Sequence, residues 1–213
     1  MKKFKWVLGI KNAIIQYVKN NSKEFILVTI IFVIGIFVGV MFINNCSKDQ
    51  EEEIVSFISG FVEKFKNIEK IDKPALLSNS VKYNVYLTLF MWLAGTTIIG
   101  IPVVLGIILF RGFCLGYTIS AVTITLGKWK AILFCFLGLV LQNVLFIPAL
   151  LVMGVSGIKL YKAIVNDRRR ENIKLEIFRH FVVCLIMCVV MVFSSVVECE
   201  IVSFIFRLGI KYI

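Results

Sequence analysis

The sequence predicts an all-α polytopic membrane protein with about five transmembrane helices plus amphipathic surface helices. Three observations carry that reading. Hydrophobic residues make up 59% of the 213-residue chain and the mean hydropathy is +0.92, more than a soluble domain contains. Uncharged runs long enough to cross a ~30 Å hydrocarbon core recur along the chain. The formal net charge of +11 comes largely from Lys and Arg that flank those runs. That placement points to membrane orientation and anionic lipid, and away from nucleic acid. The whole chain, 1–213, reads as a single integral membrane domain.

Residues 1–24 form the first element. Trp6, Val7, Ile10, Ile14, Tyr17 and Val18 recur at helical spacing, with Lys5, Lys11, Asn12, Gln16 and Lys19 elsewhere on the wheel. A basic amphipathic helix of this kind suits an anionic cytoplasmic leaflet. Asn21-Ser-Lys-Glu24 resembles a capping box, and the first span follows at 25–43. Gly35 and Gly39 share one face of it, where another helix can approach closely. Residues 44–83 are the long polar segment, expected outside the cytoplasm. It opens with Asp49 and Glu51-Glu52-Glu53. Ile54, Phe57, Ile58, Phe61, Val62 and Phe65 then mark one face of a strongly amphipathic helix, with Glu63, Lys64 and Lys66 off the stripe. Such a stripe must dock on the bilayer, on the protein's own bundle or on a partner, and the residues alone leave these three open. Pro74 is expected to end the region, with a short helix through Leu76 and Leu77 leading back to the membrane.

The second span, 84–110, is longer than the core at ~1.5 Å rise per residue, so it must tilt or bend. Gly95, Gly100, Pro102 and Gly106 supply a place to bend, and Arg111 closes the span. The third, 112–127, is short and carries Gly112 and Gly116 on one face. Lys128-Trp129-Lys130 marks an interface. The central span, 131–158, holds Gln142 and Asn143 side by side, with Pro148 five residues on. In hydrocarbon an unpaired amide is expensive, so both amides should face other helices. Pro148 removes one backbone donor and frees a carbonyl near Val144 for a neighbouring amide. The arrangement reads either as helix-packing glue or as a functional contact. Residues 159–180 are a basic loop, 181–197 the fifth span, and Glu198 and Glu200 its end. Residues 201–213 are expected at the surface. Five crossings with the basic loop inside place the N-terminus in the cytoplasm and the C-terminus outside.

Little here suits chemistry. The single histidine, His180, is expected at the interface beside the basic loop. Ser120, Ser156, Ser194 and Ser195 have no His or Lys close by in the spans, which argues against a serine hydrolase. No HExxH, no CxxC pair and no phosphate-binding loop is present. The expectation is therefore no catalytic residue, no metal and no cofactor. Of the six cysteines, Cys114, Cys135, Cys184 and Cys188 lie in apolar spans as small hydrophobes, while Cys46 and Cys199 fall near the expected outer face, where a pairing is open.

Met91-Trp92-Leu-Ala-Gly95, Ile98-Ile-Gly100-Ile-Pro102, Arg111-Gly112-xxx-Gly116-Tyr-Thr118, Gln142-Asn143-xxxx-Pro148-Ala149 and Val152-Met-Gly154 run in this order. With Asn20-Asn21 and the Phe32 to Gly39 stretch, the series resembles the stage II sporulation protein M family of endospore-forming bacteria, over nearly the whole chain. In the broader family the central motif often reads Pro-His-Gly with a Glu before the later proline. Leu141-Gln142-Asn143 and Phe146-Ile147-Pro148 stand there instead, and Glu198 matches a family acid near the last span's end.

The resemblance implies a non-enzymatic membrane scaffold at the sporulation septum and engulfing membrane. It would recruit two cell-wall hydrolases, stage II sporulation proteins P and D, for septal peptidoglycan remodelling. The contacts expected of such a scaffold, with lipid, with those partners or in a homo-oligomer, are Gln142, Asn143, Pro148, Gly112, Gly116, Trp92, Gly95, Gly100, Pro102, Glu198 and the face of Ile54, Phe57, Phe61 and Phe65. The alternative is a permease-like or channel-forming component in which bent spans and the central amides line a path.

Overall fold

A computed structural model of the chain describes residues 15–67, 72–97, 99–127, 129, 131, 135, 141–166 and 173–209; at 61–67, 141, 142, 166 and 201–209 it describes the helical backbone alone. Among the described residues the fold consists of six long helices and no strand: α1 Ser22–Asn44, α2 Lys48–Asn67, α3 Lys73–Gly95, α4 Gly100–Leu126, α5 Leu141–Asn166 and α6 Ile173–Gly209. Four stretches are long and apolar enough to cross a membrane: Ser22–Asn44, Gly100–Leu126, Asn143–Val165 and Ile173–Glu200. At 23 residues α3 has the length, but Lys73, Asn79, Ser80, Lys82 and Asn84 make it more polar. The expected N-terminal amphipathic helix lies largely outside the described residues, which take it up as a helical turn at 15–20.

The bundle is organised by where small residues let helices touch. Val28, Phe32, Gly35, Gly39 and Ile43 are the buried positions of α1 and form one face, while Ile26, Ile30, Val33 and Phe37 point outward. That face meets Gly112 and Gly116 of α4. Gly35 lies on the backbone of Leu109 and Phe113, and Gly39 on that of Phe113 and Tyr117, so the two helices run parallel. A Cβ on any of the four glycines would collide with a carbonyl oxygen of the other helix. Small residues of this kind allow close backbone approach where lipid gives no hydrophobic drive to association. α3 and α6 run antiparallel, from Lys73 against Glu200 to Gly95 against His180. α5 fills the centre, with Leu150, Met153, Val155 and Leu160 almost fully buried.

Several boundaries differ from the sequence reading, each for a local reason. The long span expected at 84–110 is not one bent helix. It breaks completely at Thr96 to Ile99, where the Thr96 and Thr97 hydroxyls donate to the Leu93 and Ala94 carbonyls and the Gly100 N–H donates to Thr97 Oγ1. Pro102 then sits in the first turn of α4, where a missing N–H costs nothing, and starts a helix that a mid-span proline would have kinked. Arg111 does not close a span: α4 continues through it to Leu126, because the guanidinium is housed between neighbouring helices. The helix expected through Leu76 and Leu77 is present but not short: it starts beside Pro74 and runs on to Gly95 as α3. Asp72 caps α3 by accepting from the Ala75 N–H at 3.2 Å, with the proline in the first turn.

The expected capping box at Asn21 and Glu24 does not form. Asn21 donates its amide back to the Tyr17 carbonyl, and Glu24 pairs with Lys162 of α5. A capping box forms instead at Ser47 and Gln50, which exchange backbone and side-chain hydrogen bonds at 3.1 and 3.4 Å ahead of α2. The basic stretch 159–180 is mostly helical, since α5 runs to Asn166 and α6 begins at Ile173. Flanking Lys and Arg mark a membrane edge without ending a helix, because their long stems reach the interface from inside it. α6 likewise continues through 201–209.

Candidate functional site

Two polar centres lie inside the bundle, one toward each end. The first surrounds Arg111. Its guanidinium lies 4.8 Å from the centre of the Tyr83 ring of α3 and 4.6 Å from that of Phe146 of α5. Its Nη2 is buried with no hydrogen-bond partner. A cavity of about 420 Å³ opens beside it, lined by Asn79, Ser80, Tyr83 and Asn84 of α3, Arg111 of α4, Asn143 and Phe146 of α5, and Glu198 of α6. Asn143 and Glu198 thus meet at one place, together with an arginine expected at the end of a span. A charged side chain in a membrane interior is expensive and marks a functional place when it faces a cavity.

Asn84 ties this centre to α6. Its amide donates to Ser195 Oγ at 2.7 Å and to the Met191 carbonyl at 3.3 Å, while the Thr88 hydroxyl donates to the Asn84 carbonyl. Ser194 and Ser195 are fully buried in the same seam. Lys73 and Glu200 close the end of the α3–α6 pair at 3.3 Å, and Cys199 Sγ donates to the Lys73 carbonyl. All six cysteines are free thiols, so Cys46 and Cys199 are not paired.

The second centre corrects the reading of His180. It is 2% exposed inside α6, not at the interface. Ser156 Oγ lies 2.9 Å from its Nδ1, so the serine judged to lack a nearby histidine has one, brought by helix packing. The ring also bonds the Trp92 carbonyl, and Ser156 bonds the Tyr17 hydroxyl. Ser156 Oγ thus lies between the imidazole and the Tyr17 hydroxyl. Burial pushes the Tyr17 phenol above its usual value, so it stays protonated throughout the neutral range. Gly95 makes room for the ring: a Cβ there would lie 2.6 Å from His180 Nε2. Ser156 lies within α5, where its own backbone N–H is engaged by the carbonyl four residues back. The chain Tyr17–Ser156–His180–Trp92 joins the N-terminal turn, α5, α6 and α3.

Other sequence candidates are dispersed. Gly112 and Gly116 are the α1 contact. Trp92 is half-buried and packs edge-on against Phe181 at 5.7 Å. Gly100 is the first residue of α4, and Pro102 and Pro148 are exposed on the surfaces of α4 and α5. Gln142, Phe61 and Phe65 have side chains outside the described residues. Ile54 and Ile58 are half-buried, whereas Phe57 is 77% exposed. Ile58 packs against the cluster of Val122, Ala131 and Cys135. Among the described residues no group of His, Cys, Asp and Glu is arranged to hold a metal.

Sequence reasoning missed Arg111, Asn84 and the His180–Ser156 pair. A lone arginine within an otherwise apolar stretch was the available signal for the first, whereas Asn84 was one of several polar residues of α3. Nothing in the spacing signalled the third, because its members are brought together only by packing.

The fold and its buried polar centres define a polytopic α-helical membrane protein whose interior polar groups bind helices to one another. The family model for stage II sporulation protein M matches residues 28–201, and the chain belongs to that family. It is also similar to an uncharacterised protein of Methanocaldococcus jannaschii, 27% identical over 178 residues that cover 81% of this chain and 90% of that protein. No solved structure matches it.

Proposed function

We propose that the protein is a non-enzymatic membrane scaffold that recruits and positions peptidoglycan hydrolases, of the kind of stage II sporulation proteins P and D, during septum remodelling and engulfment. It works in the cell membrane with its N-terminus in the cytoplasm, so that α2 lies on the wall side. The observation that carries this reading is the two-sidedness of α2. Ile58 anchors the helix on the bundle while Phe57, one residue away, stands 77% exposed. A large aromatic held outward on a docked helix is the kind of anchor that hot spots of protein interfaces use. The acidic first turns at Asp49 and Glu51 keep the same helix away from an anionic bilayer surface.

The permease-like alternative requires a polar path. Val104, Ile108, Leu150 and Met153, each at most 1% exposed, form an apolar layer between the Arg111 cavity and the His180 centre, which favours the scaffold. The test is affinity purification from sporulating cells. Wild-type protein is expected to bring down cell-wall hydrolases, and Phe57→Ser to lose them while still inserting. Unchanged capture by Phe57→Ser, or purified protein that cleaves peptidoglycan alone, overturns the proposal.

A further inference from the structure

Arg111 is held in a way that packing alone does not explain. Contacts with the Tyr83 and Phe146 rings satisfy the cation through π-electrons, but they accept none of its N–H protons. Nη2 is left buried without an acceptor, and a buried donor at a charged group is costly to leave unmade. The cavity beside it is large enough for a small polar head, at about 420 Å³. Its rim includes Tyr83, which is 55% exposed on the outer surface of the bundle, where lipid packs. A planar guanidinium with a free edge matches a phosphate or carboxylate in two-pronged fashion. Glu198 lines the same cavity and, with its own contacts in place, keeps it from being purely cationic.

We propose that the Arg111 cavity binds the phosphate of a phospholipid headgroup, with the acyl chains lying along the lipid-facing side of α3 and α5. Glu198 favours a zwitterionic head carrying an amine beside the phosphate over a doubly acidic one. The bound phosphate supplies the acceptor that Nη2 lacks and joins α3, α4, α5 and α6 at one point.

The test uses the full chain purified in detergent, delipidated, and titrated by native mass spectrometry with dioleoyl phosphatidylethanolamine, dioleoyl phosphatidylglycerol or inorganic phosphate. One phosphatidylethanolamine is expected to bind at least about tenfold more weakly to Arg111→Gln than to wild type. Arg111→Lys, which keeps the charge but loses the fork, should fall between them, and Lys82→Gln, exposed on α3, should bind as wild type does. Glu198→Gln should narrow the preference for phosphatidylethanolamine over phosphatidylglycerol. Competition by millimolar inorganic phosphate that also depends on Arg111 would retain the oxyanion site and assign it to a soluble source. Equal lipid binding by wild type and a monodisperse Arg111→Gln or Arg111→Lys protein overturns the proposal, as does Arg111-dependent capture of an acidic transmembrane peptide with no lipid dependence.

Discussion

The Phe32 carbonyl oxygen lies where a side chain on Gly112 would have to begin. The relationship repeats one turn along, where Gly116 rests on the Ile36 carbonyl, and it is reciprocated by Gly35 and Gly39 on α4. Backbone meets backbone here, so no rotamer change relieves a substitution.

Replacing Gly112 or Gly116 by Val should therefore destabilise the protein by at least about 1–3 kcal/mol, the range for overpacking, and separate α1 from α4. Gly106→Val is the control. It lies on the same helix, and a Cβ there meets nothing within 4 Å. Thermal unfolding in detergent should show a clear loss for the first two and little change for the third. Equal effects at all three positions would mean that helix propensity, not contact, sets the outcome.

The seam between α3 and α6 gives a second expectation. Asn84 and Ser195 are buried and bonded at 2.7 Å. Interhelical hydrogen bonds in membranes contribute roughly 0.6–2 kcal/mol, less than the cost of an unpaired amide in hydrocarbon suggests. A double-mutant cycle with Asn84→Ala and Ser195→Ala, read by equilibrium unfolding in detergent, should return a coupling in that range. A coupling of zero would show that the Met191 carbonyl alone holds Asn84.

These two sites also show how far the sequence was legible. The glycine pairs were visible as i, i+4 spacings on apolar helices, and the structure matches each with the other. Which pair meets which was not visible, since that depends on the parallel arrangement of α1 and α4. The all-helical membrane class followed from composition, because apolar runs of that length have few other uses. Charge misled the boundaries. Arg111 read as a helix end because an intramembrane cation is costly, yet two aromatic rings from helices far apart in sequence accommodate it. The capping box was sought at Asn21 for its place before a span, while the Ser47 to Gln50 pattern had the proper residue types. Glu198 and Asn143 were each singled out separately. Their shared cavity became legible only once α5 and α6 were packed.

Gly95 and His180 should behave as a coupled pair with compensating signs. A Cβ at Gly95 would press on His180 Nε2 at 2.6 Å, so Gly95→Ala alone should cost about 1–3 kcal/mol. His180→Ala alone opens a buried hole and removes the partner of Ser156 on α6. The double variant should lose less than the sum of the two, because the alanine at 95 grows into space the ring has left. Additive losses in detergent unfolding would show that the ring yields without cost.

Orientation in the membrane can be read from Cys46, which sits half-buried just after α1 on the segment leading to α2. With the N-terminus in the cytoplasm, this thiol faces outward. In a variant retaining only Cys46, a membrane-impermeant maleimide added to intact protoplasts should label the protein within minutes, without permeabilisation. A variant retaining only Cys199 should stay unlabelled until the protein is unfolded, since that side chain is 5% exposed and donates to the Lys73 carbonyl. The two thiols lie toward the same end of the bundle, so burial, not sidedness, separates them. Labelling of Cys46 only after permeabilisation would invert the topology. It would put the exposed Phe57 on the cytoplasmic side, where no cell-wall hydrolase could reach it.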